Sequence, residues 1–443
     1  MMSTAAIEMC WPTIETFIDL ESATSLSSTC RSLHSLIIDV ATHKAKVTHF
    51  QVCNLPPPDN NDISVIGIPR DYTTAHIRIP HYVSHALSHI HFPSLSKLHL
   101  DFPLTRKRHA TGDAHSDYIE DVHTSAFPIV ASQLGAHACN KLTSLYLNCN
   151  RLLQYERGGC LDTTYEIFGQ SLSRCCTELK ELSIVNTGIV RGENTPMYSV
   201  GLASALVSTL KRRKDMIRKF DYEVYGRPLL FNRFGEGANT DIIRKTNCDV
   251  FSAVLQSTKL EQLCIKCSPG PYRDLVRAAT ICKAENGSRE KKSSSIRDLS
   301  ILCLETRVCN GNYIMPPVGP LLDHFSDCKC LQTLYLTLPK PCWRESQTLE
   351  ALTNLLTNKP ELLRVGLSFS GLDDREGKVL EYLSGILAQL ALGSVNIFDF
   401  GGLLNVDEAR LLKLIQGMEK LGFDVRRNRL HAAIRFQRSE RRE

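Results

Sequence analysis

Nine of the 15 histidines fall between His76 and His123. Within HYVSHALSH, His81, His85 and His89 recur at every fourth residue, so a helix would set all three imidazoles along one face. Neutral imidazoles so placed can bind zinc or copper, yet a ladder over two turns suits two ligands better than three. No thiol pair nearby completes a site, and the reading preferred is a polar, solvated helix face. Cys264 and Cys267 form a CxxC in LCIKC. The second pair that a zinc ribbon requires is missing, so core packing competes with any redox or metal role. Basic runs occur at Lys211 to Lys214 (KRRK), Arg106 to Arg108, Lys291 and Lys292, and from Arg426 to Arg442. KRRK has the make-up of a nuclear import signal or an acidic-partner patch. It also follows an apolar helical pattern over Leu202 to Leu210, where cations are favoured by the helix dipole.

Other chemistry is missing from the sequence. There is no phosphate-binding Gly-x-x-x-x-Gly-Lys, no Gly-x-Ser-x-Gly elbow and no His-Glu-x-x-His, and Gly235 and Gly237 in FGEGAN read as loop. The expectation is a chain that is not an enzyme and holds no cofactor or catalytic residue. The 52 basic and 47 acidic residues leave a net charge of +5, too small over 443 residues to imply nucleic acid. The 17 cysteines, an odd number with no compact-domain spacing, argue for reduced thiols filling narrow core positions. No apolar run approaches the roughly 18 residues of a membrane span. The first ten residues lack the pattern of an export signal, so the expected location is cytoplasmic or nuclear.

The elements that must position these residues follow from a repeated phrase: apolar, two residues, apolar, one residue, apolar. It reads LSKLHL from Leu95, LTSLYL from Leu142, LKELSI from Leu179 and IRKFDY from Ile217. It continues as LEQLCI from Leu260, IRDLSI from Ile296, LQTLYL from Leu331, LLRVGL from Leu362 and LGSVNI from Leu392. Fainter copies begin at Val47 and Thr74. The later copies start at 260, 296, 331, 362 and 392, intervals of 36, 35, 31 and 30. The last two apolar residues of each phrase share one face of a strand. Between copies lie amphipathic helical patterns: Ser346 to Thr357, Asp373 to Leu392 and Asp407 to Leu421, with Ser346, Asp373 and Asp407 as candidate N-caps. Strand and helix alternating at a near-constant period is the signature of a solenoid, in which stacking buries what one unit cannot.

The phrase resembles the leucine-rich repeat, and LTSLYLNCN (Leu142 to Asn150) matches its consensus including the asparagine. Periods above 28 with interposed helices are similar to the ribonuclease-inhibitor type. The resemblance covers roughly residues 47 to 425 and implies an α/β leucine-rich-repeat solenoid: a horseshoe with parallel strands on the concave face and helices outside. The expected organisation is a small helical module over 1–45, the repeat domain over 46–425 and a basic C-terminal cap and tail over 426–443, its end fraying.

LESATSLSSTCRSLHSLI, ahead of the repeats, resembles the second half of an F-box, with the IDLES turn and the TCRSLHSLI helix as the matching parts. That resemblance implies docking of the Skp-type linker of an SCF ubiquitin ligase around Ile14, Phe17, Ile18, Leu20, Leu26 and Leu33. The chain would then be a substrate-recognition subunit binding a protein substrate, with no nucleic-acid or membrane partner. The alternative is an N-terminal cap that shields the first repeat, on a scaffold or inhibitor with no ubiquitin role.

Within each phrase the residues flanking the last two apolar positions point away from the core. The expected binding face therefore carries Lys97, His99, Asp101, Tyr146, Asn148, Glu181, Asp221, Lys266, Asp298, Tyr335 and Arg364. Mixed charge with interspersed tyrosines suits a protein surface better than a polyanion. Long connections at Pro103 to Ser125 and Gly226 to Thr240 would extend the same surface.

Overall fold

The computed structural model describes residues 49–52, 74–77, 96–101, 141–148, 160–187, 200–224, 238–285, 295–303, 317–338, 346–357, 359–369, 373–374, 378–402, 405–428 and 433–439. Strands and helices alternate in an α/β arrangement whose sheet pairing is mostly parallel. The chain divides into two compact units, Met1–Thr187 with Ser204–Thr209, and Gly188–Ala203 with Leu210–Glu443.

In the first unit the strands are β1 (His49–Val52), β2 (Thr74–Ile77), β3 (Lys97–Asp101), β4 (Ser144–Asn148) and β5 (Glu181–Thr187). They lie in the order β2, β1, β3, β4, β5, all parallel. LTSLYL and LKELSI pair in register, Leu145 beside Leu182 and Leu147 beside Ile184. All four side chains are buried to within 1%. Helix α1 (Cys160–Arg174) follows β4, and α2 (Val200–Arg212) spans the division between the units. Lys211 and Arg212 of KRRK occupy the last turn of α2, the end a helix dipole favours for cations. Gly169 permits a close helix approach, because a Cβ there would lie 2.4 Å from that of Ala205.

The second unit repeats the design. Strands β6 (Lys219–Val224), β7 (Gln262–Cys267), β8 (Asp298–Cys303), β9 (Thr333–Leu338), β10 (Arg364–Phe369) and β12 (Ile397–Gly401) are successive parallel neighbours. Each of β6 to β10 begins two residues after the first apolar residue of its phrase. Between them run α3 (Ala238–Leu255), α4 (Pro269–Glu285), α5 (Gly319–Phe325), α6 (Ser346–Thr357) and α7 (Lys378–Ala391). Two-residue strands β11 (Asp373–Asp374) and β13 (Asn405–Val406) pair with each other before α8 (Glu408–Lys420).

Alternation explains the layers. Along β6, β7 and β8 every second residue is buried and its neighbours are not, so one sheet face is sealed and the other faces solvent. The sealed face meets the helices: Tyr222 of β6 packs edge-on against Phe251 of α3, ring centroids 6.1 Å apart. Each buried leucine of the phrase contributes on the order of 2 kcal/mol. Ser295 and Ser394, immediately before the buried Ile296 and Val395, donate to the Leu260 and Leu362 carbonyls of the preceding copies at 2.9 Å. Cys176, Cys267, Cys282, Cys303 and Cys328 are buried free thiols, and Cys330 is exposed. Among the described residues no helix is long and apolar enough to cross a membrane.

Three local expectations meet different structure. Asp373 does not cap a helix; it lies in β11, and α7 starts at Lys378. Asp407 does cap α8, its Oδ1 accepting from the Arg410 N–H at 3.0 Å. The connection expected to reach Thr240 ends earlier, because α3 begins at Ala238. The tail, expected to cap the last repeat before fraying, covers it as β14 (Phe423–Asn428) and β15 (Ala433–Arg438), an antiparallel hairpin whose second strand also pairs with β12. Its cause is visible in IRF: Ile434 and Phe436 are buried while Arg435 between them is exposed, the period-two pattern of a strand. β14 thus runs across the expected 425/426 boundary.

Candidate partner-binding face

The solvent side of the second unit's sheet is built by register. Because neighbouring strands pair without slippage, residues at one position of successive phrases form straight rows. The central row runs Asp221, Cys264, Ser300, Tyr335, Gly366, Asp399, Arg435 and ends at Arg426 across the hairpin. A flanking row runs Lys219, Gln262, Asp298, Thr333, Arg364. Here the Gln262 amide donates to Asp298 at 2.9 Å, and Lys219 lies 3.5 Å from Asp221. On the other side Lys266 sits between Glu223 and Leu302. The sheet thereby brings Asp221, Lys266, Asp298, Tyr335 and Arg364 onto one face.

In the first unit the same register places His99 beside Tyr146, Asp101 beside Asn148, and Lys97 and Glu181 on either side of Ser144. Lys97 and Glu181 are exposed and Tyr146 is half-buried. Ile14, Phe17, Ile18, Leu20, Leu26 and Leu33, and the histidines at 81, 85 and 89, lie outside the described residues.

Tyr335 is half-buried on the face opposite Leu334 and Leu336. Its ring lies over Gly366: a Cβ on that glycine would come within 2.2 Å of the tyrosine Cδ1. Beyond the glycine the Asp399 carboxylate accepts two hydrogen bonds from Arg435, from Nε at 2.5 Å and Nη2 at 3.1 Å. That bidentate pair holds the Arg435 proton more firmly than usual. Arg427 of β14 makes a similar fork to Glu408 on α8. Between the tyrosine and the hairpin lies a groove of about 460 Å³. Gly401 keeps its floor low, since a Cβ there would approach the Ser368 Oγ to 3.2 Å.

The CxxC cannot act as a pair. Cys264 and Cys267 are three apart in a strand and so point to opposite faces, Cys264 half-buried on the solvent side and Cys267 fully buried. Burial, then the nearby Asp221 carboxylate, pushes the Cys264 thiol above its usual range, and burial does so more strongly at Cys267. Both are poor thiolates. Among the described residues no group of three or more histidine, cysteine or acidic side chains is placed to hold a metal.

Three residues of this face escape the sequence reading: Asp399, Arg435 and Arg426. Stacking the copies puts Gly366 in the column of Tyr335, but the copy read from Leu392 puts Asn396 there. Ile397 pairs with Arg364, Val395, Phe398 and Phe400 are the buried residues, and Leu392 is 82% exposed, so that copy begins three residues later than expected. Arg435 and Arg426 lie outside the repeat, and only the alternation of the tail signals them. No protein-family model matches this chain, and no curated protein is significantly similar to it.

Proposed function

We propose that this chain is a non-catalytic protein-binding adaptor of leucine-rich-repeat type, acting as the substrate-recognition subunit of an SCF-type ubiquitin ligase. The N-terminal segment with Ile14, Phe17, Ile18, Leu20, Leu26 and Leu33 takes the Skp-type linker, and the exposed sheet face takes the substrate. The observation that carries the binding role is the in-register row of uncovered side chains from Asp221 to Arg435 on a sheet whose other face is sealed by helices. Among the described residues helices cover one side of these strands, which leaves the row's mixed charge and its tyrosine available to a protein surface. Successive parallel neighbours with a helix between copies are what a repeat of 30 to 36 residues requires. The F-box resemblance supplies the ubiquitin part of the reading.

The test is capture of a purified Skp-type linker by the full chain. Binding that Phe17→Asp or Leu26→Asp abolishes, with melting unchanged, supports the ligase reading. No capture by the unaltered chain leaves the scaffold or inhibitor alternative in its place.

A further inference from the structure

The C-terminal hairpin gives the sheet face an electrostatic polarity that the repeat alone does not carry. Arg435 and Arg426 are direct cross-strand partners in β15 and β14. Like charges placed opposite each other repel, so the pair disfavours the hairpin unless an anion lies between or beside them. Asp399 is that anion for Arg435, held by two hydrogen bonds. Arg426 has none: it is exposed, and its guanidinium has no carboxylate or hydrogen-bond partner among the described residues. Arg427 beside it is already engaged by Glu408. The groove between this hairpin and Tyr335 is open to solvent, and its middle is bare backbone at Gly366 and Gly401.

We infer that this groove is a recognition site for an acidic, extended segment of a protein partner, with a side-chain carboxylate of that segment pairing with Arg426 against the Asp399–Arg435 fork. The inference rests on the adaptor reading and names the chemistry of its substrate at one place on the face. Charge complementarity selects the occupant. An uncompensated guanidinium beside a second one calls for a carboxylate, and Arg offers it a planar fork. Bare glycine backbone beside an aromatic ring accommodates a narrow, extended chain whose side chains fall to either side of the ring. Asp399 neutralises Arg435 and Glu408 engages Arg427, so the groove offers one free guanidinium and not the run of cations that a dense polyanion needs, which separates this site from a nucleic-acid patch.

The experiment uses the full chain and a fluorescein-labelled glutamate–tyrosine copolymer, followed by anisotropy. Binding should weaken as salt rises. Arg426→Glu should lower affinity at least tenfold, while Lys413→Glu, the same charge change at an exposed position of α8, should alter it less than twofold. Asp399→Asn releases Arg435 from its internal partner and should tighten binding severalfold. Melting curves of all variants confirm that each is folded. Absence of copolymer binding, equal loss with Lys413→Glu, or tighter binding of heparin at the same arginines would each overturn the inference. Linker capture is read separately on the same protein. If the linker binds and the copolymer does not, the acidic-segment site fails while the adaptor reading stands. If the copolymer binds and the linker does not, the reverse holds.

Discussion

The ring of Tyr335 covers Gly366 on the adjacent strand, so closely that a methyl group on the glycine would sit 2.2 Å from the ring's Cδ1. An aromatic laid over a cross-strand glycine restores the contact that the missing side chain cannot make. The two positions are therefore coupled, and a double-mutant cycle reads the coupling. Gly366→Ala alone should destabilise the fold by about 1 to 2 kcal/mol, because the ring must leave its place. In a Tyr335→Ala background the same change should be neutral or stabilising by up to about 1 kcal/mol, since alanine restricts the unfolded chain more than glycine. Urea denaturation of the four proteins checks this, and additive effects would contradict the stacking.

A glycine at the end of β12 is constrained by backbone instead. Gly402 has φ +78°, and a Cβ there would lie 2.0 Å from the Phe369 carbonyl oxygen. Neither a left-handed alanine nor a displaced strand is cheap. Gly402→Ala should cost roughly 2 kcal/mol or more. The thermal midpoint reports it, and an unshifted midpoint would contradict the geometry.

Asp274 on α4 is 3% exposed and receives one hydrogen bond, from the Asn247 amide at 3.2 Å. Its other oxygen and the Asn247 carbonyl have no partner among the described residues. Burial pushes its pKa up to about 6, against the Asn247 hydrogen bond and nearby arginines, which pull it down. The folded state thus holds this proton to higher pH than the unfolded one. Stability should be fully present below about pH 4 and lost as pH rises through about 6, by up to about 3 kcal/mol from this group. Asp274→Asn keeps the shape and removes the charge. The stability difference between variant and parent should grow in the variant's favour from pH 4 to pH 7, and a flat difference would contradict the assignment.

Arg438 at the end of β15 fastens the hairpin to the layer behind it. Its Nη2 donates to the carbonyls of Ala391, Gly393 and Val395 at 2.6, 3.2 and 3.3 Å, and the guanidinium lies 5.1 Å from the Phe423 ring centroid. The Ala391 carbonyl ends α7, where the helix cannot satisfy it, and those of Gly393 and Val395 belong to the connection that follows. A lysine reaches one of them but cannot reproduce the fork or the ring contact. Arg438→Lys should cost about 1 to 2 kcal/mol. Proteolysis within the hairpin should rise with it.

The strands from β3 to β10 were legible because two signals coincide in their phrases, whereas the copy of β12 was read three residues early, from the exposed Leu392. Leu263 and Ile265, or Leu334 and Leu336, alternate with polar neighbours, and the whole phrase returns at a period too regular for chance. Helix ends were less legible. Asp373 and Asp407 both precede apolar stripes, yet only Asp407 caps, because a two-residue strand consumes Asp373 first. The candidate face divides likewise. Tyr335 stands out in its own phrase, but its partner Gly366 is defined only by register between strands. Arg435 and Arg426 read as part of a basic tail, since nothing local shows that Ile434 and Phe436 find a core 36 and 38 residues from Phe398.

The central claim is that a protein partner sits on the uncovered face of the sheet and not on the helices. Site-specific photo-crosslinking tests it most directly, with p-benzoylphenylalanine placed in the full chain at Tyr335 or Arg364 on that face, or at Ile281 or Leu412 on the helices. Ile281 and Leu412 are 46% and 47% exposed, so they report the helical side. The two sheet positions should yield an adduct to one and the same protein, and the two helix positions should yield none. Equal adducts from Ile281 or Leu412, or none from Tyr335 and Arg364, would contradict the account.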